Sequence, residues 1–360
     1  MALPYSCCRL LTFHQSLNSL RFAKNSLYHP LQQNVRHSGF LSVSSVFRLQ
    51  FDSQGHKLFY RLCRRGFKTK QMSQEAEIHG NEPSLFKHFL FTIGVCGCSF
   101  SGAMIWNYEK MRKVFQDLQN GTKKDSIFEK KQKKAFGFRD HANSFWEKLS
   151  GGQKMVVGII AANLGVFLMW RVAALQPMML RYFTTSITHP LPSMLLSSFS
   201  HVSFWHLFVN MYVLWSFASV TVNMFGFEQF AAFYVSAGTI SSFTSMACSK
   251  LLRRPYIVSV GASGAIMALL GAVCSSFPNA QLGIAFISEI FPHSFSADSG
   301  MKAIIAFDLL GLILGWRFLD HAGHLGGIFF GILYAKYGNQ YVWGKRETIM
   351  KWWHNLRGKP

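Results

Sequence analysis

The chain has 360 residues, 49% of them hydrophobic and only 15% charged, with a formal net charge of +21. An ordinary soluble protein carries about 25% charged residues, and here the charges gather at 57–88, 107–152 and 338–360 and are sparse from 155 to 338. That excludes a soluble globular domain; a spanning β-barrel would need alternating apolar and polar residues, so a bundle of membrane helices is left. The basic residues flank apolar segments, so anionic lipid head groups, and not nucleic acid, are their expected counter-charge.

Residues 1–51 contain no Asp or Glu, but hold Arg9, Arg21, Lys24, Arg36 and Arg48 among eight serines. The stretch LLTFHQSLNSLRFAKNSL can wind into a helix with one apolar and one basic face. An acid-poor, amphipathic start of this kind is the pattern of a mitochondrial transit peptide, and no apolar core of a secretory signal follows it. The run RRGF at 64–67 resembles a matrix-processing site, so 1–67 is expected to be the transit peptide and 68–88 a short mature N-terminal segment.

Seven apolar segments follow. The first, 89–106, reads FLFTIGVCGCSFSGAMIW; its Cys96-Gly97-Cys98 is expected to let a neighbouring helix approach. With Cys7, Cys8, Cys63, Cys248 and Cys274 the cysteines number seven, an odd count spread into apolar segments. Neither a disulfide framework nor a zinc ribbon fits that distribution. A basic linker occupies 107–152, and the remaining segments are 154–172, 203–222, 228–247, 258–277, 301–318 and 324–338. Between them, 173–202 holds three prolines and an amphipathic QPMMLRYF, which predicts a structured loop at the membrane interface. A second long loop is expected at 278–300 and a basic tail at 339–360. The fold class is therefore all-α and polytopic: one N-terminal transmembrane helix, then a six-helix core across 153–338. The halves show no repeat, so an inverted-repeat transporter gains no support.

Polar residues inside lipid are costly, and four sets stand out. His206 and Asn210 lie four apart, on one face of a helix. They read either as a hydrogen-bonded pair that glues helices or as two donors aimed at a site. His201, near the interface, is expected to be wet. The second set is Gly261-Ala262-Ser263-Gly264. Small residues in membrane helices usually mark close packing, and Gly264, Ala268 and Gly271 predict a tight contact. Gly261 also leaves room for a substrate backbone beside Ser263, where a helix N-terminus favours negative charge. The third set, DHAGHLGGIFFG at 320–331, puts His324, Gly327 and Gly331 on one face. Two small-residue faces packed together would bring Ser263 and His324 within hydrogen-bond reach. The fourth is Asp308, read as a hydrogen bond to a neighbouring helix.

The ordered set HxxxN, GxSG and HLGGxxxG on successive helices of a six-helix core resembles the rhomboid intramembrane serine proteases. Trp170-Arg171 resembles the family's tryptophan-arginine pair, and the extra first helix with a transit peptide resembles its mitochondrial branch. The resemblance covers roughly 86–345. It implies Ser263 as nucleophile and His324 as general base and acid, a dyad without a third carboxylate. It also implies an oxyanion hole made of the Ser263 N–H, His206 and Asn210. It implies no cofactor, the mitochondrial inner membrane, and substrates that are single membrane helices: quality-control kinases and phosphatases and fusion GTPases. One departure is Met267, where bacterial relatives carry an aromatic ring against the histidine, so another side chain must orient His324.

Two other readings stand beside this one: an inactive rhomboid-like binder of membrane helices, and a metal site or transporter built from His201, His206, His321 and His324. A zinc peptidase is excluded because H-E-x-x-H is absent. For orientation, the basic 107–152 and tail would face the matrix by the positive-inside rule, whereas the branch implies the opposite.

Overall fold

The computed structural model describes residues 84–119, 143–144, 146–253, 258–283 and 294–358. The expected transit peptide and RRGF site, 68–83 of the short mature segment, the middle of the linker and part of the 278–300 loop lie outside the described residues.

The molecule is a polytopic bundle of helices: α1 (Leu85–Gln119), α2 (Gly151–Met169), the short α3 (Gln176–Tyr182) and α4 (Ser193–Leu196), α5 (Phe204–Phe225) and α6 (Phe227–Leu251). Then come α7 (Ser263–Ser276), α8 (Ala297–Leu314), α9 (His321–Leu333), a π-helical turn (Tyr334–Trp343) and α10 (Arg346–Arg357). A two-residue ribbon, β1 (Gln281–Leu282) with β2 (Phe295–Ser296), pairs antiparallel before α8. By length and composition α1, α2 and α5 are each able to cross a membrane.

Helix α6 sits at the centre and reads least like a membrane segment. Most of its residues are buried, and many carry hydroxyls. Those hydroxyls are spent on neighbours: Ser236 Oγ meets Ser99 Oγ of α1 at 2.9 Å, Ser241 Oγ donates to the Gly323 carbonyl at 2.8 Å, and Ser242 Oγ to the Met194 carbonyl at 2.9 Å. Buried in protein and not in lipid, such groups act as interhelical glue. The outer helices carry the reverse pattern, with exposed Leu164 and Leu168 on α2, Phe204 and Phe208 on α5, and Leu310 and Ile313 on α8.

Helix α1 runs well past the expected end at Trp106. At about 1.5 Å per residue its 35 residues outreach the ~30 Å hydrocarbon core, so its charged second half projects beyond. It packs on α6 through Trp106 against Phe227 (5.0 Å between ring centroids) and Lys110 on Glu228 (2.7 Å). The expected role of Cys96-Gly97-Cys98 is corrected. Open space surrounds Gly97 and Cys98 is exposed, so of the three only Cys96 meets α6, at Ser236, and the close approach continues at Ser99 and Ala103. The expected tail at 339–360 is also structured. In α10, Trp353 Nε1 donates to Glu109 Oε1 at 2.8 Å, and Arg357 pairs with the same carboxylate.

Local signals explain the other boundaries. Ser150 and Gln153 form a reciprocal capping box that starts α2. Ser296 caps α8, and Gly315, left-handed at φ 73°, ends it. Asp320 caps α9, which is why that helix starts at His321 and not at His324. Residues 258–262 are not helical as expected: Ser259 pairs backbone to backbone with Thr185 (2.9 and 3.1 Å) and Gly261 adopts φ 129°. The 173–202 loop is structured, and this Thr185–Ser259 bridge ties it to the approach of Ser263.

Candidate active site

Ser263 is the first residue of α7, so its backbone N–H has no acceptor within the helix. The chain reaches it along a fixed path. Gly261 N–H donates to the Ser197 carbonyl at 3.0 Å. A Cβ at Gly261 would stand 2.8 Å from the His206 ring, and the positive φ already favours glycine. Gly261 is thus the point where α5 closes over the loop.

His324 Nε2 lies 2.9 Å from Ser263 Oγ. The distance is set by backbone contact between α7 and α9. A Cβ at Gly327 would stand 2.1 Å from the Gly264 carbonyl oxygen, one at Gly331 2.0 Å from that of Ala268, and one at Gly271 2.4 Å from that of Ile328. Only small residues allow the two helices this close. Gly264 has a second constraint, since a Cβ there would overlap Ser241 Oγ, the hydroxyl that bonds Gly323 on α9.

Behind the imidazole stands Asp308 of α8, 1% exposed. Its Oδ1 is 3.3 Å from His324 Nδ1 and 2.7 Å from His321 Nδ1. The sequence reading of Asp308 as a bond to a neighbouring helix describes this contact, but His324 is not held by packing alone. A carboxylate stands behind the base, where the resemblance implied a dyad without one. Met267, in the position of the missing aromatic ring, packs against the buried cluster of Leu270, Cys274 and Ala297.

On the α5 side, His206 is half-buried and Asn210 buried. Asn210 Nδ2 donates to the His206 carbonyl one turn back, at 2.8 Å. His201 is corrected: it is not wet but fully buried. Burial, reinforced by His206, holds its pKa down at about 3, so the ring is neutral and its Nε2 accepts from the Ala262 N–H at 3.4 Å. The rings of His201 and His206 meet edge to face at 4.9 Å. Further along the loop, burial lowers the pKa of His189, whose Nδ1 lies 2.8 Å from the Thr184 carbonyl.

A small polar cavity opens on Ser263 and His324, lined also by Ser197, Ser241, Ser259 and Asp320. Asp320 does more than cap α9. Its carboxylate accepts from Ser245 Oγ at 2.8 Å and Ser259 Oγ at 2.5 Å, tying α6, α9 and the Ser263 approach together. Trp170 and Arg171 lie outside the cavity and fix the entry to α5, donating to Ser200 Oγ at 2.9 Å and the Val202 carbonyl at 2.7 Å. Among the described residues, no group of three or more His, Cys, Asp or Glu is placed to hold a metal ion. The arrangement offers a hydroxyl, a base within reach, a helix-terminal N–H beside the hydroxyl and a polar space for water.

Comparison with known proteins fits this geometry. The rhomboid domain family model matches residues 188–340, which run from the interfacial loop through α9. The mitochondrial presenilin-associated rhomboid-like protein of Bos taurus is 48% identical over 276 residues, 76% of this chain and 72% of its own length. The Homo sapiens protein of the same name gives the same figures. The mitochondrial Rhomboid protein 1 of Saccharomyces cerevisiae is 32% identical over 220 residues, 59% of this chain and 61% of its own length. With its glycine-packed helices and the motifs they carry, the chain belongs to the rhomboid family, in its presenilin-associated rhomboid-like branch.

Proposed function

We propose that the chain is an intramembrane serine endopeptidase that cleaves membrane helices of other proteins in the mitochondrial inner membrane. The observation that carries this reading is Ser263 Oγ at 2.9 Å from His324 Nε2, at a helix N-terminus. A serine hydroxyl is a poor nucleophile until a neighbouring base takes its proton. His324 Nε2 takes that proton as Oγ attacks the scissile carbonyl, then gives it to the leaving amine. The N–H of Ser263, with His206 and Asn210, stabilises the oxyanion. Each such donor is worth a few kcal/mol in the transition state. A helical carbonyl is hydrogen-bonded and shielded, so the substrate helix must unwind locally. Gly261 and Gly264 keep side chains away from the approach, and Gly327 and Gly331 hold the base in place.

In this reading 1–67 is a transit peptide, 68–88 a short mature segment, 107–152 a spacer and 153–338 the protease core. Mitochondrial names among the relatives support the location. The substrate classes to test are the mitochondrial quality-control kinases and phosphatases and the fusion GTPases that the family resemblance implies, and anionic lipids are the partners of the basic segments.

The test is cleavage of a reporter membrane helix by purified protein in detergent. Wild type should cut, with chelators harmless. Ser263→Ala and His324→Ala should each lose on the order of 10⁴-fold or more in kcat, as removal of a coupled nucleophile or base does. A Ser263→Ala protein that still cuts would sink the proposal. Silence of the wild type against several unstable helices would favour the binding-only reading.

A further inference from the structure

The mechanism above needs His324 in one tautomer, with the Nε2 lone pair facing the serine, and the family resemblance offers no carboxylate to fix it. This chain holds one. Asp308 Oδ1 lies 3.3 Å from His324 Nδ1, on the side of the ring away from Ser263. A carboxylate only accepts, so the nitrogen that faces it is the one that carries hydrogen. Nδ1 then donates to Asp308, and Nε2 is left bare toward the Ser263 hydroxyl.

The carboxylate is itself fixed. His321, one turn before His324 on α9, donates from Nδ1 to the same oxygen at 2.7 Å. The His321 ring is boxed by Phe318, Phe307 and Trp316 with centroids at 5.5, 5.7 and 6.0 Å. Its other edge lies on Gly311 of α8, where a Cβ would stand 2.4 Å from the ring. His321 therefore cannot swing, and Asp308 cannot follow the solvent. A buried acid that served packing alone would be satisfied by His321; the same oxygen also reaches the base.

We propose that Asp308, steadied by His321, is a positioning residue for His324, so that this chain works as a Ser263–His324–Asp308 triad. The Oγ proton passes to His324 Nε2 and on to the leaving amine, while the carboxylate faces the imidazolium formed between. The inference rests on the proteolytic reading, and its test separates the two.

In the same reporter assay, Asp308→Asn should lower kcat about 10²–10⁴-fold, since an amide in place of the orienting carboxylate favours the wrong tautomer. KM should stay within about twofold, because Asp308 touches no substrate. Labelling of Ser263 by a fluorophosphonate probe should slow in parallel, and Asp308→Glu should restore part of the rate. The unfolding midpoint of each variant shows whether it is folded. A folded Asp308→Asn that keeps wild-type kcat, or that changes KM alone, overturns the inference while leaving the Ser263–His324 pair intact. A measurement that needs no Asp308 variant stands beside it. In ¹⁵N-histidine-labelled wild type, the His324 ring, assigned by its loss in His324→Ala, should carry hydrogen on Nδ1. Hydrogen on Nε2 would overturn the proposal even if every Asp308 variant failed to fold. If wild type does not cut, the proteolytic reading fails and the tautomer alone decides.

Discussion

The two walls that face Ser263 are built to different standards. On the α9 wall the base is held from three directions: Ser263 in front, Asp308 behind, and glycines that set the helix spacing. On the α5 wall His206 is half-buried over Gly261, and the Asn210 amide is turned back to its own helix. One wall is organised before a substrate arrives, and the other keeps its donors in local bonds. A hydroxyl and its base must be aligned at all times to react, whereas an oxyanion exists only during the reaction. Hydrogen bonds of a site without substrate are often loose and tighten only in the complex.

The sharpest contrast should come from Gly327→Ala. Its Cβ would meet the Gly264 carbonyl oxygen at 2.1 Å, a backbone atom with nowhere to go. Overpacking of this kind costs about 1–3 kcal/mol or more, and a ~1 Å displacement of the base costs about 10²-fold in rate. Both the unfolding midpoint and the cleavage rate should fall. A stable, active Gly327→Ala would mean that the helix spacing does not set the dyad. On the other wall, Asn210→Ala should leave the midpoint almost unchanged, losing one local hydrogen bond worth about 1 kcal/mol. It should lower kcat about 10²–10³-fold at constant KM, the cost of one oxyanion donor. An unchanged kcat would remove Asn210 from the oxyanion role.

His201 gives a smaller effect with a defined sign. Its pKa is near 3 in the folded chain, against an ordinary value of 6.5, so the unfolded chain binds more protons between those values. Stability is therefore full above about pH 6.5 and falls as pH drops through that window, by about 2 kcal/mol from this residue between pH 7 and pH 5. His201→Gln should flatten the acid side of the unfolding profile. Equal slopes in variant and wild type would show that another group controls it. Arg357→Ala should do least: its pair with Glu109 is partly exposed, worth under about 1 kcal/mol, and cleavage by purified protein should not change.

Much of the bundle is legible along the chain because each apolar segment announces itself within about twenty residues. Ser263, His324 and their glycines are legible for the same reason, since each sits in a short run with its own pattern. What the sequence hides is long-range. Nothing near Glu109 predicts that it binds Trp353 and Arg357, so α1 reads as ending at Trp106 and α10 as a tail. His201 reads as interfacial because it stands just before the start of a membrane segment, yet it is fully buried. Asp308 is the instructive case. An acid in an apolar run signals a partner, but only the crossing of α8 with α9 shows that its partners are His321 and the base.

Helix α1 meets the rest of the molecule through Ser236, Tyr334, Phe227, Glu228 and α10, none of them reached through the chain that leads out of Gln119. Among the described residues, the docking of α1 is thus made by side chains and not by the covalent link. Severing the backbone between 120 and 142 should yield two fragments that co-purify, and a chain supplied as two separate genes, parted within that stretch, should complement.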